Sequence, residues 1–178
     1  PSVCRWLNGN SFSGSIPAEW STMTRITKLL FSNNRLTGTL PAELGACTGL
    51  NYLHFGVNNE ITGTIPAAFS VLTSLTYLSF RGPGSLGGTT PTEFSRLTSL
   101  PELYFDRNSL AGTLALEYST LTSLTAVAFY SNSLSGTAPA EWSTWTSARY
   151  LQLYSNSFSG TVPAEWSTMT RITKLLFS

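Results

Sequence analysis

The stretch Phe94–Leu114 decides the fold, and it reads FSRLTSLPELYFDRNSLAGTL. The stretch Trp20–Leu40, WSTMTRITKLLFSNNRLTGTL, carries its apolar, asparagine and glycine residues at the same offsets. In both stretches apolar residues stand at positions 1, 4, 7, 10, 12, 17 and 21. The alternation of Leu103 with Phe105 predicts a short β-strand whose alternate side chains point inward.

The same unit recurs along the whole chain. Each unit contains a glycine, and successive glycines lie 24 or 25 residues apart: Gly14, Gly38, Gly63, Gly88, Gly112, Gly136 and Gly160. A Ser or Thr follows every one of these glycines. A period of this length is typical of solenoids, in which no unit buries its apolar side alone and neighbours share one core. We therefore expect a single solenoid over residues 1–178, with about seven coils.

An asparagine stands two residues before the apolar residue that precedes most of these glycines. The predicted structural column consists of Asn10, Asn34, Asn59, Asn108, Asn132 and Asn156. A buried turn leaves backbone N–H and C=O groups that need partners, and an amide side chain offers both a donor and an acceptor. Two coils, Phe55 to Ile61 and Phe80 to Leu86, carry one extra residue each. We interpret these insertions as tolerated bulges, with a binding feature as the alternative.

A second column places glutamate two positions after the proline position of six units: Glu19, Glu43, Glu93, Glu117, Glu141 and Glu165. Proline suits the first position of a short helical turn, and an acidic side chain suits its N-terminal end. The pattern predicts a helical turn per coil on the convex side. It also explains six of the eight glutamates without any catalytic role.

Composition excludes several classes of function. The formal net charge is +1, only 11% of the residues are charged and no apolar run reaches the length of a membrane span. A nucleic-acid partner is therefore not expected. The chain has one His (His54), one Asp (Asp106) and two cysteines, Cys4 and Cys47. We predict no catalytic residues, no metal and no cofactor, and we predict that Cys47 is a buried thiol of the core.

The repeated pattern L-x-x-L-x-x-L-x-L-x-x-N-x-L-x-G-x-I-P resembles the leucine-rich repeat in its 24-residue, plant-type form. The resemblance covers essentially the whole chain. It implies an α/β repeat, a right-handed leucine-rich repeat solenoid with a concave parallel β-sheet and short 3-10 or irregular convex segments.

The convex segments carry a finer resemblance. The phrase Pro-x-Glu-Trp-Ser-x-Met-Thr occurs at Pro17–Thr24 and Pro163–Thr170, and Leu-Thr-Ser-Leu begins at Leu72, Leu97 and Leu121. These phrases resemble the promastigote surface antigen and proteophosphoglycan repeats of kinetoplastid parasites. That resemblance implies an extracellular surface antigen that serves adhesion and host-cell recognition. It also implies membrane attachment only through a glycolipid anchor outside this segment.

Residues 11–32 and 157–178 differ at two positions only, Ser15 against Thr161 and Ile16 against Val162. This near-identity suggests recent duplication within a longer array. Because a solenoid needs polar caps and none is recognisable, we interpret the sequence as a fragment that lacks its caps.

The outward residues of the predicted strands form the candidate binding face. They include six of the seven tyrosines, and tyrosine is enriched at recognition surfaces. The predicted ligand-binding residues are Tyr52, His54, Tyr77, Arg81, Glu102, Tyr104, Asp106, Tyr130, Tyr150, Gln152 and Tyr154. Arg81 and Asp106 are expected one coil apart, where they either pair or offer polar anchors to a ligand. The expected partner is a protein or glycan ligand, with a host cell-surface receptor as one candidate.

Other functions are compatible with the same repeat. One is a plant-type receptor ectodomain or a polygalacturonase-inhibitor-like binding module. Another is a structural surface coat, and a third is an ice-binding array built on the threonines that follow the repeat glycines.

Overall fold

The computed structural model describes residues 3–82 and 86–177, and within them it contains fourteen short strands and seven 3-10 turns. The strands are β1 (Val3–Trp6), β2 (Ser13–Ser15), β3 (Ile26–Leu30), β4 (Asn34–Thr39), β5 (Tyr52–His54), β6 (Asn58–Thr62), β7 (Tyr77–Ser79), β8 (Glu102–Tyr104), β9 (Ala111–Thr113), β10 (Ala126–Ala128), β11 (Ser133–Gly136), β12 (Tyr150–Gln152), β13 (Ser157–Phe158) and β14 (Lys174–Leu176). The 3-10 turns are η1 (Ala18–Thr22), η2 (Ala42–Ala46), η3 (Ala67–Val71), η4 (Thr92–Arg96), η5 (Leu116–Thr120), η6 (Ala140–Thr144) and η7 (Ala164–Thr168).

The main sheet has eight parallel strands in the order β1-β3-β5-β7-β8-β10-β12-β14. Neighbouring strands pair in coil register, so that Tyr52 lies beside Tyr77 and Leu53 beside Leu78. This arrangement confirms the predicted solenoid with one parallel strand per coil. None of the described helical segments is long and apolar enough to cross a lipid bilayer.

A second row of strands, which the sequence did not predict, lies on another side of the coils. It forms two three-stranded parallel sheets, β2-β4-β6 and β9-β11-β13, and a single bridge between Thr64 and Gly87 lies between them. The interruption coincides with the coil that carries the insertion from Phe80 to Leu86. Pro83, Gly84 and Ser85 of that insertion lie outside the described residues, so the predicted bulge there stays a prediction.

The core contains a continuous stack of phenylalanine rings that runs through five consecutive coils. The ring centroids of Phe31 and Phe55 are 5.4 Å apart, those of Phe80 and Phe105 are 5.7 Å apart, and those of Phe105 and Phe129 are 5.1 Å apart. All these rings are buried. Because each buried ring of this size contributes roughly 1.5–3 kcal/mol, stacking one coil on the next supplies most of the driving force for the solenoid.

The 3-10 turns face the sheet across this core. Each begins after a residue in extended conformation, which is proline in six of the seven turns and Ala115 in η5. The third residue of each turn packs inward, and three of these side chains also hydrogen-bond the preceding coil. The Tyr118 hydroxyl donates to Pro91 O at 2.8 Å, Trp142 Nε1 donates to Ala115 O at 3.0 Å, and Trp166 Nε1 donates to Pro139 O at 2.8 Å. These three aromatic side chains therefore also supply hydrogen-bond donors to backbone carbonyls of the preceding coil.

The asparagine column joins neighbouring coils through its amide groups. Asn132 Nδ2 donates to Phe129 O and Phe105 O, at 2.8 and 3.1 Å, and its Oδ1 accepts from the backbone N–H of Leu110 at 3.0 Å. Asn156 and Asn108 repeat this pattern, and Asn34 makes the equivalent bonds to Phe31, Leu7 and Phe12. Asn10 is exposed and donates only to the nearby carbonyls of Leu7 and Asn8.

The prediction that Asn59 belongs to the asparagine column is wrong. Asn58 pairs in register with Asn34, and its amide donates to Phe55 O at 2.7 Å and to Phe31 O at 2.9 Å. The extra residue of this coil follows the asparagine instead of preceding it, so counting back from Ile61 gave the wrong position. The side chain of Asn59 lies outside the described part of the structure.

Candidate binding face on the eight-stranded sheet

We define the concave face as the outward side chains of the eight-stranded sheet together with the second residue after each of its middle strands. Strand register places its residues in three columns. The first column is Lys28, Tyr52, Tyr77, Glu102, Ala126, Tyr150 and Lys174. The second is Leu30, His54, Ser79, Tyr104, Ala128, Gln152 and Leu176. The third is Ser32, Gly56, Arg81, Asp106, Tyr130 and Tyr154, whose carbonyl groups continue the pairing between coils. All eleven predicted site residues lie on this face.

Three tyrosines form an aromatic cluster that runs across β5, β7 and β8. The rings of Tyr52 and Tyr77 are parallel within 4° with centroids 4.2 Å apart, and the Tyr104 ring lies 5.5 Å from Tyr77 at an angle of 47°. Burial raises the pKa of Tyr52 to about 12, with a further contribution from Tyr77. Burial also raises the pKa of Tyr104, whose hydroxyl donates to Glu102 Oε2 at 2.9 Å. Both hydroxyls are therefore protonated at neutral pH, and that of Tyr104 is already engaged by Glu102.

A second aromatic pair lies further along the sheet. The Tyr130 and Tyr154 rings stack with centroids 4.5 Å apart, and the guanidinium carbon of Arg107 lies 5.8 Å from the centroid of Tyr130. Tyr130 itself is buried, whereas Tyr150 on the neighbouring strand is 45% exposed. Tyr150 is accordingly the most accessible tyrosine of the predicted set, and Tyr130 packs against Tyr154.

The alanines of β10 separate the two aromatic groups. Ala126 and Ala128 stand where the neighbouring strands carry Glu102 and Tyr104 on one side and Tyr150 and Gln152 on the other. Both alanines are buried between these longer side chains. The residues predicted from the sequence as ligand-binding did not include these alanines.

Arg81 and Asp106 pair. Arg81 Nε lies 2.8 Å from Asp106 Oδ2, and the Asp106 side chain is fully buried. The Arg81 guanidinium also covers the Tyr104 ring, 5.0 Å from its centroid. The prediction that Asp106 faces a ligand is therefore wrong, because Arg81 and its neighbours cover the carboxylate. The Arg81 side chain is 39% exposed.

His54 is held against the tyrosine cluster. Its ring centroid lies 5.6 Å from that of Tyr77, and its Nδ1 is buried without a hydrogen-bond partner. A Cβ atom at Gly56 would lie only 2.9 Å from the imidazole ring, so glycine at this position makes room for it. Burial lowers the pKa of His54, and the charge of Arg81 lowers it further. The imidazole is therefore neutral at physiological pH.

Other surfaces carry less chemistry. Apolar grooves lie at the two ends of the solenoid, one lined by Leu7, Trp20 and Phe31 and the other by Leu153, Phe158 and Phe177. Neither groove belongs to the concave face. Among the described residues, no group of three or more His, Cys, Asp or Glu side chains is placed to hold a metal ion.

Comparison with known proteins supports the fold. A family model described as Leucine Rich Repeat matches residues 25–47. A comparison with curated protein sequences gives no match. Three solved structures superpose with a TM-score of 0.93 each: a TDR receptor at 34% identity, the plant peptide hormone receptor RGFR1 in complex with RGF2 at 35%, and the ectodomain of the Arabidopsis thaliana receptor kinase GASSHO1/SCHENGEN3 in complex with CASPARIAN STRIP INTEGRITY FACTOR 2 at 30%.

The alignments cover 98%, 98% and 96% of this chain, and 30%, 28% and 20% of those proteins. The chain thus spans less than a third of the length of each of these structures. Its strand register, its asparagine column and these similarities all agree, and the chain therefore folds as a leucine-rich repeat solenoid similar to a segment of plant receptor ectodomains.

Proposed function

We propose that this chain is the ligand-binding part of an extracellular recognition protein, and that its concave face binds an extended peptide segment of a protein partner. The stacked Tyr52–Tyr77 pair with Tyr104 beside it is the observation that carries this proposal. Tyrosine offers a large, rigid contact area and a hydroxyl at a low cost in side-chain entropy. Three such rings on adjacent strands make a continuous platform for a ligand that crosses the strands.

The solved structures support a peptide as the ligand class. RGFR1 and GASSHO1/SCHENGEN3, which share the fold and about a third of the aligned residues, were solved with RGF2 and with CASPARIAN STRIP INTEGRITY FACTOR 2. A receptor ectodomain is accordingly one form that the whole protein takes under this proposal. A lipid-anchored surface antigen that binds a host-cell protein or glycan is the other form, and the Pro-x-Glu-Trp phrases of the convex segments favour it. Both forms are non-enzymatic and use the same face.

The test is selection of binding partners from a displayed library of random decapeptides on the immobilised 178-residue chain. Selected peptides are then measured against three variants, Tyr52→Ser, Tyr77→Ser and Tyr150→Ser. We expect each variant to weaken binding about tenfold, since a central aromatic contact typically contributes more than 1 kcal/mol.

The matched controls are Leu116→Ser and Val71→Ser on the convex turns, where both side chains are about half exposed. They change the same kind of surface without touching the concave face, and we expect unchanged affinity. Selected peptides that bind all three tyrosine variants as tightly as the unchanged chain would contradict the proposal.

A further inference from the structure

The charges of this nearly neutral protein are segregated between its two sides. Six glutamates lie in the first turns of the 3-10 segments, one per coil except in η3, and all six are exposed: Glu19, Glu43, Glu93, Glu117, Glu141 and Glu165. Glu60 lies on β6, also away from the concave face. Only Glu102 and Asp106 of the nine acidic residues lie on that face.

The basic residues show the opposite distribution. Lys28, Arg81 and Lys174 lie on the concave face, and four arginines lie in the turns that lead into or out of its strands: Arg25, Arg107, Arg149 and Arg171. The concave face and the turns that flank its strands together carry seven of the ten basic and two of the nine acidic residues, a net charge of +5 that the rest of the chain offsets to a total of +1. Such a separation of charge steers association and selects partners of the opposite sign.

The two acidic groups of the concave face are already engaged. Asp106 is buried against Arg81, and Glu102 accepts the hydrogen bond of the Tyr104 hydroxyl. In contrast, none of the salt bridges described in the structure involves Lys28 or Lys174, and Lys174 is exposed. The unbalanced charge available to a ligand on this side is consequently positive.

The two lysines have equivalent places at opposite ends of the aromatic row. They are the only lysines of the chain, and each stands in the same sequence, Thr-Lys-Leu-Leu. Both occupy the first column, with Tyr52 and Tyr77 next to Lys28 and Tyr150 next to Lys174. Lys28 Nζ also lies 6.0 Å from the Tyr52 ring centroid, so this charge borders the tyrosine platform directly.

We propose that the concave face recognises an acidic extended peptide, with carboxylates near its two ends for Lys28 and Lys174 and aromatic or apolar side chains between them for the tyrosines. The proposal rests on the proposed function and specifies its ligand. Six strand spacings of about 4.8 Å separate the two lysines, or roughly 29 Å. An extended chain rises about 3.3 Å per residue, so about nine residues span this distance.

The arrangement favours a peptide over a sulfated or carboxylated glycan. A linear polyanion repeats its charge along its whole length and matches a continuous basic stripe. Here the first column reads Lys, Tyr, Tyr, Glu, Ala, Tyr, Lys, with positive charge at the ends and a glutamate near the middle. That order fits a ligand whose charges are confined to its ends.

The decapeptides selected on the 178-residue chain test this inference. We expect Asp and Glu to be enriched near both ends of the selected peptides. Replacing those residues by Asn and Gln should weaken binding at least tenfold, and so should the double variant Lys28→Glu/Lys174→Glu. The matched control is Glu93→Lys/Glu117→Lys, which changes two exposed convex charges and should leave affinity within about twofold. Soluble heparin serves as the polyanionic glycan probe.

Each outcome decides between the two proposals. Neutral or basic peptides that bind the lysine variant normally but lose affinity for Tyr77→Ser would overturn the acidic ligand and leave the proposed function standing. Heparin that binds the chain more tightly than every selected peptide, and does so through the two lysines, would replace the peptide by a glycan. The proposed function, and this inference with it, would be contradicted by selected peptides that bind the tyrosine variants as tightly as the unchanged chain. A selection that yields no binder would contradict both as well.

Discussion

Gly63 packs directly against Thr39 of the preceding coil. A Cβ atom at position 63 would lie 2.9 Å from the Cγ2 methyl of Thr39, and Gly63 has a φ of +80°. The same relationship recurs between Gly88 and Thr64, where the distance is 2.8 Å. Glycine is therefore required at these positions for two reasons: the backbone is left-handed, and the neighbouring threonine leaves no room for a Cβ atom.

Two alanine variants separate these two requirements. Gly14 has a similar φ of +82°, but an added Cβ there meets no atom within 4 Å. We expect Gly14→Ala to lower the free energy of unfolding by about 1 kcal/mol through backbone strain alone. Gly63→Ala should cost about 2–4 kcal/mol, because the threonine methyl must also move. Urea denaturation measures both values.

The double variant Thr39→Ser/Gly63→Ala supplies the control. Serine lacks the methyl group that the new Cβ would meet, so part of the loss should be recovered relative to the sum of the single changes. Equal losses for Gly14→Ala and Gly63→Ala would show that strain alone explains the glycines.

The asparagine column predicts a large effect of removing one amide. In Asn132→Ala, the N–H of Leu110 loses its partner, and the carbonyls of Phe105 and Phe129 each lose one of two amide donors, keeping those of Asn108 and Asn156. We expect a loss of about 2 kcal/mol in the free energy of unfolding, because a buried donor without a partner costs about 1–3 kcal/mol and the two carbonyls each retain one donor. Urea denaturation again provides the measurement.

Asn10→Ala is the matched control for the column. Asn10 bonds to two carbonyls but is exposed, so water replaces the lost amide and we expect a change below about 1 kcal/mol. A loss at Asn132 no larger than that at Asn10 would show that the column does not join the coils energetically.

The repeat made most of the fold predictable. The spacing of Leu103, Phe105 and Asn108 fixes a strand and a turn in every coil, and stacking identical coils leaves little freedom in how the strands pair. The second row of strands was not predicted, because each of its strands holds at most one large apolar residue among polar or small ones, which gives no alternating apolar pattern. Asn59 was predicted instead of Asn58 because the position was counted back from Ile61, and the extra residue of this coil lies between the asparagine and Ile61.

The face was predictable, but the state of its side chains was not. Alternation along each strand places Tyr52, His54 and Asp106 on the concave face. Whether such a residue is accessible depends on its neighbours one coil away. Asp106 is buried because Arg81 of the adjacent coil pairs with it, and that contact is fixed in three dimensions by strand register. The segregation of charge likewise becomes evident only when the turns and strands are assigned to sides.

The two cysteines should differ in reactivity. Cys47 is fully buried, its thiol lies 3.5 Å from Trp20 O as a donor, and burial raises its pKa. Cys4 is partly exposed on β1. Because the thiolate is the reactive form, we expect iodoacetamide to modify Cys4 in the folded protein and Cys47 only after unfolding. Mass spectrometry of the two tryptic fragments reads the result, and rapid labelling of Cys47 in the folded chain would contradict its place in the core.

His54 should make the free energy of unfolding depend on pH around the ordinary pKa of histidine. Its pKa is lowered in the folded protein by burial and by Arg81, whereas in the unfolded chain it has its ordinary value of 6.5. As the pH falls through this value, the unfolded chain takes up a proton that the folded protein does not yet bind. The free energy of unfolding should therefore fall between about pH 7.5 and pH 5.5 and rise again as the pH is raised.

The chain has one histidine, so a single substitution isolates this contribution. His54→Gln keeps a polar side chain beside Tyr77 but cannot be protonated, and we expect its free energy of unfolding to change less across the same window. Urea denaturation at half-unit pH steps measures both proteins. Parallel pH profiles for the two would show that the buried Nδ1 atom is reached by solvent and that His54 titrates as it does in the unfolded chain. If the free energy of unfolding falls with pH only in the unchanged protein, the loss arises from the imidazole of His54, which packs between Gly56 and the tyrosine cluster.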